Sequence, residues 1–367
     1  MKSRKKKKRR LPLVYRIGIV FAAVLGVILL LGLAAVAAYL WMTGSGKSRF
    51  EKKQQAVPEQ MQQETLAEEE TQLEAGSIRY KGKTYTYKKD ILTFLVMGID
   101  KKGEVEASSN LFKGGQADAL FLAVFDQKAK EISVVGINRD TMTQINVFDE
   151  NGLSAGTETA QIALSHAYGD GLEESCENTV EAVSNLLYGL PIHGYCALNM
   201  SVISTINDAV GGVDVVIPES AAGIQKGWEA GETVHLEGKA AYDFIHYRDV
   251  KQAQSAEARL ERQKQYLKNF VAQAKNAMKQ NMMLPLQLYT EITPYMVTNV
   301  TADEAVYLAG EALSYQFSED SIYSMEGTVE MGEQFEEFYP DETALYEMVL
   351  DVFYEEPAHY YLRKGDD

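Results

Sequence analysis

The longest apolar stretch lies near the start of the chain. Positions 17–42, Ile17 to Met42, carry no charged side chain and consist largely of Ile, Val, Leu and Ala. As a helix they reach about 39 Å at ~1.5 Å per residue, against a hydrocarbon core of roughly 30 Å. A cleaved leader has a shorter apolar region, ~7–15 residues. Tyr39 and Trp41 suit an interfacial aromatic belt. The pattern predicts an uncleaved transmembrane helix over 17–42.

Downstream, the periodicity changes several times. Residues 43–77 are rich in Gln, Glu and Lys and predict a solvated polar spacer. Ile78 to Tyr87 alternate about Lys81-Gly82, which predicts a small hairpin over 78–88. Ile91 to Met97 form a continuous apolar run closed by Gly98, the mark of a strand buried on both faces. Ala119 to Phe125 and Ile132 to Ile137 predict two more strands, joined by a polar turn.

Helical spacing follows at Val180, Val183 and Leu187, stopped by Gly189 and Pro191. Asn199 can cap a helix that buries Val202, Ile203, Ile206 and Val210 and ends at Gly211-Gly212. Val213 to Ile217 return as a strand, and a long helix from Ala258 to Met278 turns Leu260, Leu267, Phe270 and Ala274 inward. Alternating strands and helices predict an α/β sandwich around a central sheet. Past Pro285 the pattern is largely helical, then mixed, with an acidic, aromatic-rich end.

Charge sharpens this organisation. The chain of 367 residues has a net charge of −16, yet residues 1–16 hold nine Lys/Arg and no acid. The remainder carries 27 basic against 52 acidic residues, a net of −25. A body that acidic is a poor match for nucleic acid, so any phosphate it recognises sits in a local pocket. The basic tail, 1–16, abuts the apolar span and is predicted to stay in the cytoplasm, which puts everything after Gly44 outside. Export permits a disulfide between Cys176 and Cys196, although both read as buried thiols and no Cys/His spacing suggests zinc.

Polar residues cluster where the buried strands end. Asp100 follows the first strand, Asp118 opens the second, and Arg139-Asp140 follows the third within Gly136-Ile-Asn-Arg-Asp-Thr141. Arg248-Asp249 come later, then Arg259, Arg262 and Gln263 at the start of the long helix. Strand ends line the binding crevice of α/β folds. Arginines in an acidic protein need anions, and Arg binds phosphate oxygens bidentately. Two nearby carboxylates can hold Mg²⁺ against such phosphates. Singly, each feature has a plainer reading: a structural ion pair, a turn aspartate, solvated surface charge or a packed histidine.

Taken in order, Gly-x-Asp after a strand, Ala-Asp, Asn-Arg-Asp-Thr, Ala-Tyr-Gly, Tyr-Arg and Arg-x-x-Arg-Gln resemble the LytR-CpsA-Psr family of cell-envelope phosphotransferases, over about residues 89–275. The resemblance implies an α/β/α sandwich with a central mixed sheet and an apolar tunnel for a polyprenyl chain, leaving 276–367 as a largely helical C-terminal extension. It implies transfer of a glycopolymer phosphate from a polyprenyl-pyrophosphate carrier to a peptidoglycan hydroxyl, aided by Mg²⁺ or Mn²⁺. Carried over by motif, Asp100 and Asp118 are the metal carboxylates. Arg139, Arg248, Arg259 and Arg262 hold the pyrophosphate with Gln263, and Asp140 positions Arg139 or takes the acceptor proton.

Three departures stand out. Gln116 and His246 occupy places where the family usually has Arg, and Gln161-Ile162-Ala163 stands where it has Lys-Ile-Asn. Fewer charges weaken phosphate binding, unless a protonated His246 compensates. The departures leave open an altered donor preference, and also a polyprenyl-phosphate-binding regulator or scaffold without turnover.

Overall fold

The computed structural model describes residues 38–52, 76–108, 113–149, 152–247, 255–333 and 335–356. Residues 38–52 form the first helix, α1. Strands β1 (Ser77–Tyr80) and β2 (Lys83–Tyr87) make a hairpin whose turn residues, Lys81 and Gly82, both have positive φ. An antiparallel meander follows: β3 (Ile91–Ile99), β4 (Ala117–Asp126) and β5 (Glu131–Ile137). A second ribbon, β6 (Met142–Phe148) with β7 (Ser154–Gln161), projects beyond it. Helices α2 (Leu164–Ala167) and α3 (Glu173–Leu186) return the chain to β8 (Gly194–Asn199), which runs parallel to β3.

A smaller lobe comes next. It contains α4 (Ile203–Ala209), the paired strands β9 (Val213–Val216) and β10 (Thr233–Leu236), α5 (Lys239–His246) and the long α6 (Ser255–Gln280). Trp228 and Phe244 pack edge to face in its core. After α7 (Leu284–Ile292), β11 (Met296–Thr298) pairs with β8, and after α8 (Ala302–Ala312), β12 (Ile322–Ser324) pairs with β5. The central sheet is therefore six-stranded and mixed, in the order β11-β8-β3-β4-β5-β12. The chain closes with the ribbon β13 (Gly327–Met331) and β14 (Glu336–Pro340), helix α9 (Glu342–Phe353) and β15 (Tyr354–Glu355), which joins β2.

The continuous apolar run of β3 is explained by cover on both faces. Ile91, Leu95 and Met97 point into a core built with α3 and α9. Leu92 and Phe94 point the other way, toward α1 and α8, while Ile132 and Val134 of β5 meet Leu267 of α6. The result is a three-layer α/β/α arrangement.

Two expected boundaries differ from this picture. The spacer predicted over 43–77 is not solvated throughout. Phe50 of α1 is 2% exposed and stacks edge to face on Phe94 at 5.4 Å, while Arg49 pairs with Asp303 at 3.3 Å. Burying one phenyl ring contributes roughly 1.5–3 kcal/mol, enough to tie the end of α1 to the body against a sparse polar background. Nor is 276–367 an appended unit, because β11 and β12 supply both edges of the central sheet. Their short runs carry little periodicity, so the edges were invisible to pattern alone. The span predicted over 17–42 lies outside the described residues except for its last five. Among the described residues no helix is long and apolar enough to cross a membrane.

Candidate functional site

The ends of β3, β4 and β5 bring the predicted carboxylates and one arginine together. Asp100 follows β3, and its Oδ1 accepts from the Gln116 backbone N–H at 2.7 Å, while its own N–H reaches Gln116 O at 3.1 Å. This reciprocal pairing needs Gly115, whose φ is +89°. A Cβ there would stand 2.7 Å from Ile99 Cγ2 and 3.0 Å from Asp100 Oδ1, so a larger residue would displace the carboxylate.

Beyond β5, Asn138 builds the turn that presents Arg139. Its side chain accepts from the Asp140 N–H at 3.0 Å, and its carbonyl accepts from Thr141 Oγ1 at 2.6 Å. Arg139 then meets three acceptors. Nη1 donates to Asp118 Oδ1, Nη2 donates to Gln116 Oε1 at 2.6 Å, and Nε lies 3.3 Å from Asp140 Oδ1. Gln116 thus neither replaces an arginine nor points away; it braces the neighbouring one. Burial raises the Asp118 carboxyl above the ordinary aspartate range, with Asp100's charge adding to the effect and Arg139 and Arg259 opposing it.

Of these groups, Asp118, Asn138, Arg139 and Asp140 line a cavity of about 900 Å³, whereas Asp100 and Gln116 stand outside its lining. Asp118, Arg139, Asp140, Arg259 and Gln263 supply its polar end, and Leu120, Phe121, Ile137 and Phe338 supply an apolar wall. Such a combination suits an amphipathic ligand with an anionic head. The β13–β14 ribbon adds Val329, Glu336 and Tyr339 to the lining.

Not every expected residue joins this group. Arg262 is 3% exposed and outside the cavity lining. Its guanidinium donates to the carbonyls of Phe244 at 2.9 Å, Ser220 at 3.3 Å and Tyr247, and to Ser220 Oγ at 3.0 Å. It satisfies the orphan carbonyls at the end of α5. Gln263 reaches Ile245 O at 3.2 Å while still lining the cavity. His246 stacks on Tyr242 at 4.7 Å. Burial, then the Arg259 charge, lowers its pKa, although Asp118 and Asp243 pull the other way. Arg248 lies outside the described residues.

Gln161, Glu336 and the β13–β14 ribbon had no assigned role in the sequence reading. Gln161 shows in the sequence only as a departure, and a ribbon whose Glu336 lies 175 residues beyond it leaves no local signal. Cys176 and Cys196 are free thiols, and burial raises the pKa of each, that of Cys196 to about 12, so neither is poised as a nucleophile. Among the described residues no group of three or more His, Cys, Asp or Glu side chains could hold a metal. Asp100 and Asp118 offer hard carboxylate oxygens, a set that fits Mg²⁺ only when phosphate oxygens and water complete the shell.

Comparison with known proteins decides the family. The model of the LytR_cpsA_psr family matches residues 42–349. The chain belongs to that family. Within the LytR_cpsA_psr family, it is 29% identical over 161 residues to the polyisoprenyl-teichoic acid–peptidoglycan teichoic acid transferase TagU of Halalkalibacterium halodurans, covering 43% of this chain and 45% of that one. It is 30% identical over 162 residues to the TagU of Bacillus anthracis, covering 44% and 46%. The chain thus matches less than half the length of these transferases. The crystal structure of B. subtilis TagV superposes with a TM-score of 0.54 at 23% identity, over 72% of this chain and 96% of that one. TagT bound to LIIa-WTA superposes with a TM-score of 0.54 at 20% identity, over 72% and 90%. The two superpositions support the mixed α/β fold with its central mixed sheet.

Proposed function

We propose that this LytR_cpsA_psr protein is a membrane-anchored, extracellular phosphotransferase. It moves a glycopolymer from a polyprenyl-pyrophosphate carrier to peptidoglycan during cell-wall assembly. The observation that carries the reading is the meeting of Asp118, Arg139, Asp140 and Arg259 in one cavity that Leu120, Phe121, Ile137 and Phe338 also line. The named activity of the TagU relatives agrees with it.

In this reading the apolar wall receives the start of the isoprenoid chain, and Arg139 and Arg259 neutralise the pyrophosphate. The acceptor hydroxyl oxygen bonds to the phosphorus that bears the glycan, the bridging P–O bond breaks, and polyprenyl phosphate leaves with that electron pair. Asp140 takes the hydroxyl proton. Positioning and charge neutralisation supply most of the catalysis in such transfers. A single preorganised donor such as Arg139 is worth ~2.7–4 kcal/mol. Asp100 and Asp118 would hold Mg²⁺ or Mn²⁺, which supplies additional charge neutralisation at the phosphates.

A second reading has its own observation. Among the described lining residues, five carboxylates (Asp118, Asp140, Glu326, Glu336 and Asp341) face two guanidiniums. That balance leaves little net positive charge for a transferring phosphoryl group, which favours a polyprenyl-phosphate binder held chiefly through its apolar chain, with little or no turnover.

One assay separates the two. The full chain in detergent, with Mg²⁺, lipid-linked glycopolymer and peptidoglycan, is expected to attach polymer to the wall, and Arg139→Ala to abolish attachment. Lipid that co-purifies while no product forms would favour the binder. Equal yields from wild type and Arg139→Ala would overturn the transferase.

A further inference from the structure

At the end of β7, Gln161 directs one side-chain amide at two acceptors. Its Nε2 donates to Asp140 Oδ1 at 3.1 Å and to the backbone carbonyl of Glu336 at 2.7 Å. An amide nitrogen carries two hydrogens, so both are used and none remains for a ligand. The same Asp140 oxygen lies 3.3 Å from Arg139 Nε, and the Asp140 carbonyl accepts from the Phe338 N–H at 2.8 Å. Glu336 and Phe338 belong to β14 and line the same cavity as Arg139. The ribbon and the reactive turn are otherwise joined by little regular pairing, a single bridge between Thr141 and Phe338.

We propose that Gln161 is a positioning residue: its amide locks the Asp140 carboxylate, and through it the Arg139 guanidinium, to the β14 wall of the cavity. The inference rests on the transferase reading for its effect on rate, though not for its effect on the ribbon. A carboxylate oxygen held by two donors cannot swing into the cavity, so Arg139 keeps a single orientation toward the phosphate. Misplacement by an ångström is costly in catalysis even where binding is little changed. The required chemistry at position 161 is a donor able to reach both oxygens, which an amide and an ammonium share and a methyl or carboxylate lacks.

The test compares the full-length wild type with Gln161→Leu, Gln161→Glu and Gln161→Lys. Steady-state transfer is measured with lipid-linked glycopolymer and peptidoglycan, and backbone hydrogen exchange is measured over 336–340. Gln161→Leu keeps the side-chain volume and removes both donors. It is expected to lower kcat roughly tenfold with donor KM changed less than twofold, and to speed exchange in β14. Gln161→Glu is expected to do the same or more, because it sets two carboxylates side by side. Gln161→Lys is expected to restore both kcat and protection. Wild-type rate and exchange in Gln161→Leu would overturn the inference. If wild type transfers nothing, the transferase reading falls and exchange alone judges the coupling: faster in Leu and restored in Lys supports it, whereas unchanged exchange overturns it.

Discussion

Arg139, in the turn after β5, and Asp118, on β4, are 21 residues apart, and the Arg139 Nη1 donates to Asp118 Oδ1 in the lining of the cavity. Their side chains are only 25% and 23% exposed, so the pair is partly shielded from water. Removing the guanidinium leaves a poorly solvated carboxylate behind. Arg139→Ala is expected to cost ~1–3 kcal/mol of stability and to lower transfer by about 10²-fold or more. Thermal melts and transfer rates on the same preparation check both.

Asp118 also makes a prediction about pH. Its folded carboxyl titrates above the 3.8 of an ordinary aspartate, chiefly through burial. The native state therefore holds this proton more tightly than the unfolded chain does. Its contribution to stability is full below about pH 3.8 and is lost as pH rises through the raised value. Relative to wild type, Asp118→Asn is expected to gain stability across that window and keep the gain at neutral pH, while losing transfer. Melting curves at several pH values decide it. A variant less stable than wild type at neutral pH would show that pairing with Arg139 outweighs burial.

Arg259 and Arg262 stand three apart on α6 yet have different jobs. Arg262→Met is expected to unfold several degrees earlier, since it strands the carbonyls of Phe244, Ser220 and Tyr247. Arg259→Met is expected to melt later than Arg262→Met and to weaken lipid pyrophosphate binding. Equal melting temperatures for the two variants would remove the distinction.

The docked end of α1 gives a fourth expectation. Phe50 is buried against Phe94 and Tyr307. Phe50→Ala is expected to cost ~3–5 kcal/mol and to open α1 to limited proteolysis. Unchanged cleavage would show that the aromatic contact does not hold the helix.

Much of the middle of the fold was readable because its elements are long and strongly patterned. The run from Ile91 to Met97, which two helical layers cover, is apolar at every position but Thr93, and the helix read over Ala258 to Met278 falls within α6. The edge strands β11 and β12 are three residues each, too short to show a period. At the site, Asp100, Asp118, Arg139 and Asp140 were legible because strand ends carry them. Arg262 misled because its sequence position says nothing about which way a buried guanidinium turns. Gln116 reads from sequence as part of the pyrophosphate site with a charge lost, and Gln161 only as a departure. Their actual contacts, one to Arg139 and one to Asp140, depend on loops that meet only in the folded chain.

The central claim is that these distant groups form one pyrophosphate-binding cavity. Phosphorus NMR of a polyprenyl pyrophosphate in detergent micelles, titrated with the full-length protein and Mg²⁺, tests it most directly. The account predicts that wild type shifts and broadens both phosphorus signals, that Arg139→Ala weakens the effect by about 10²-fold, and that Gln161→Leu leaves the affinity within twofold of wild type. Spectra that wild type leaves unmoved, or that Arg139→Ala perturbs as strongly as wild type does, would contradict it.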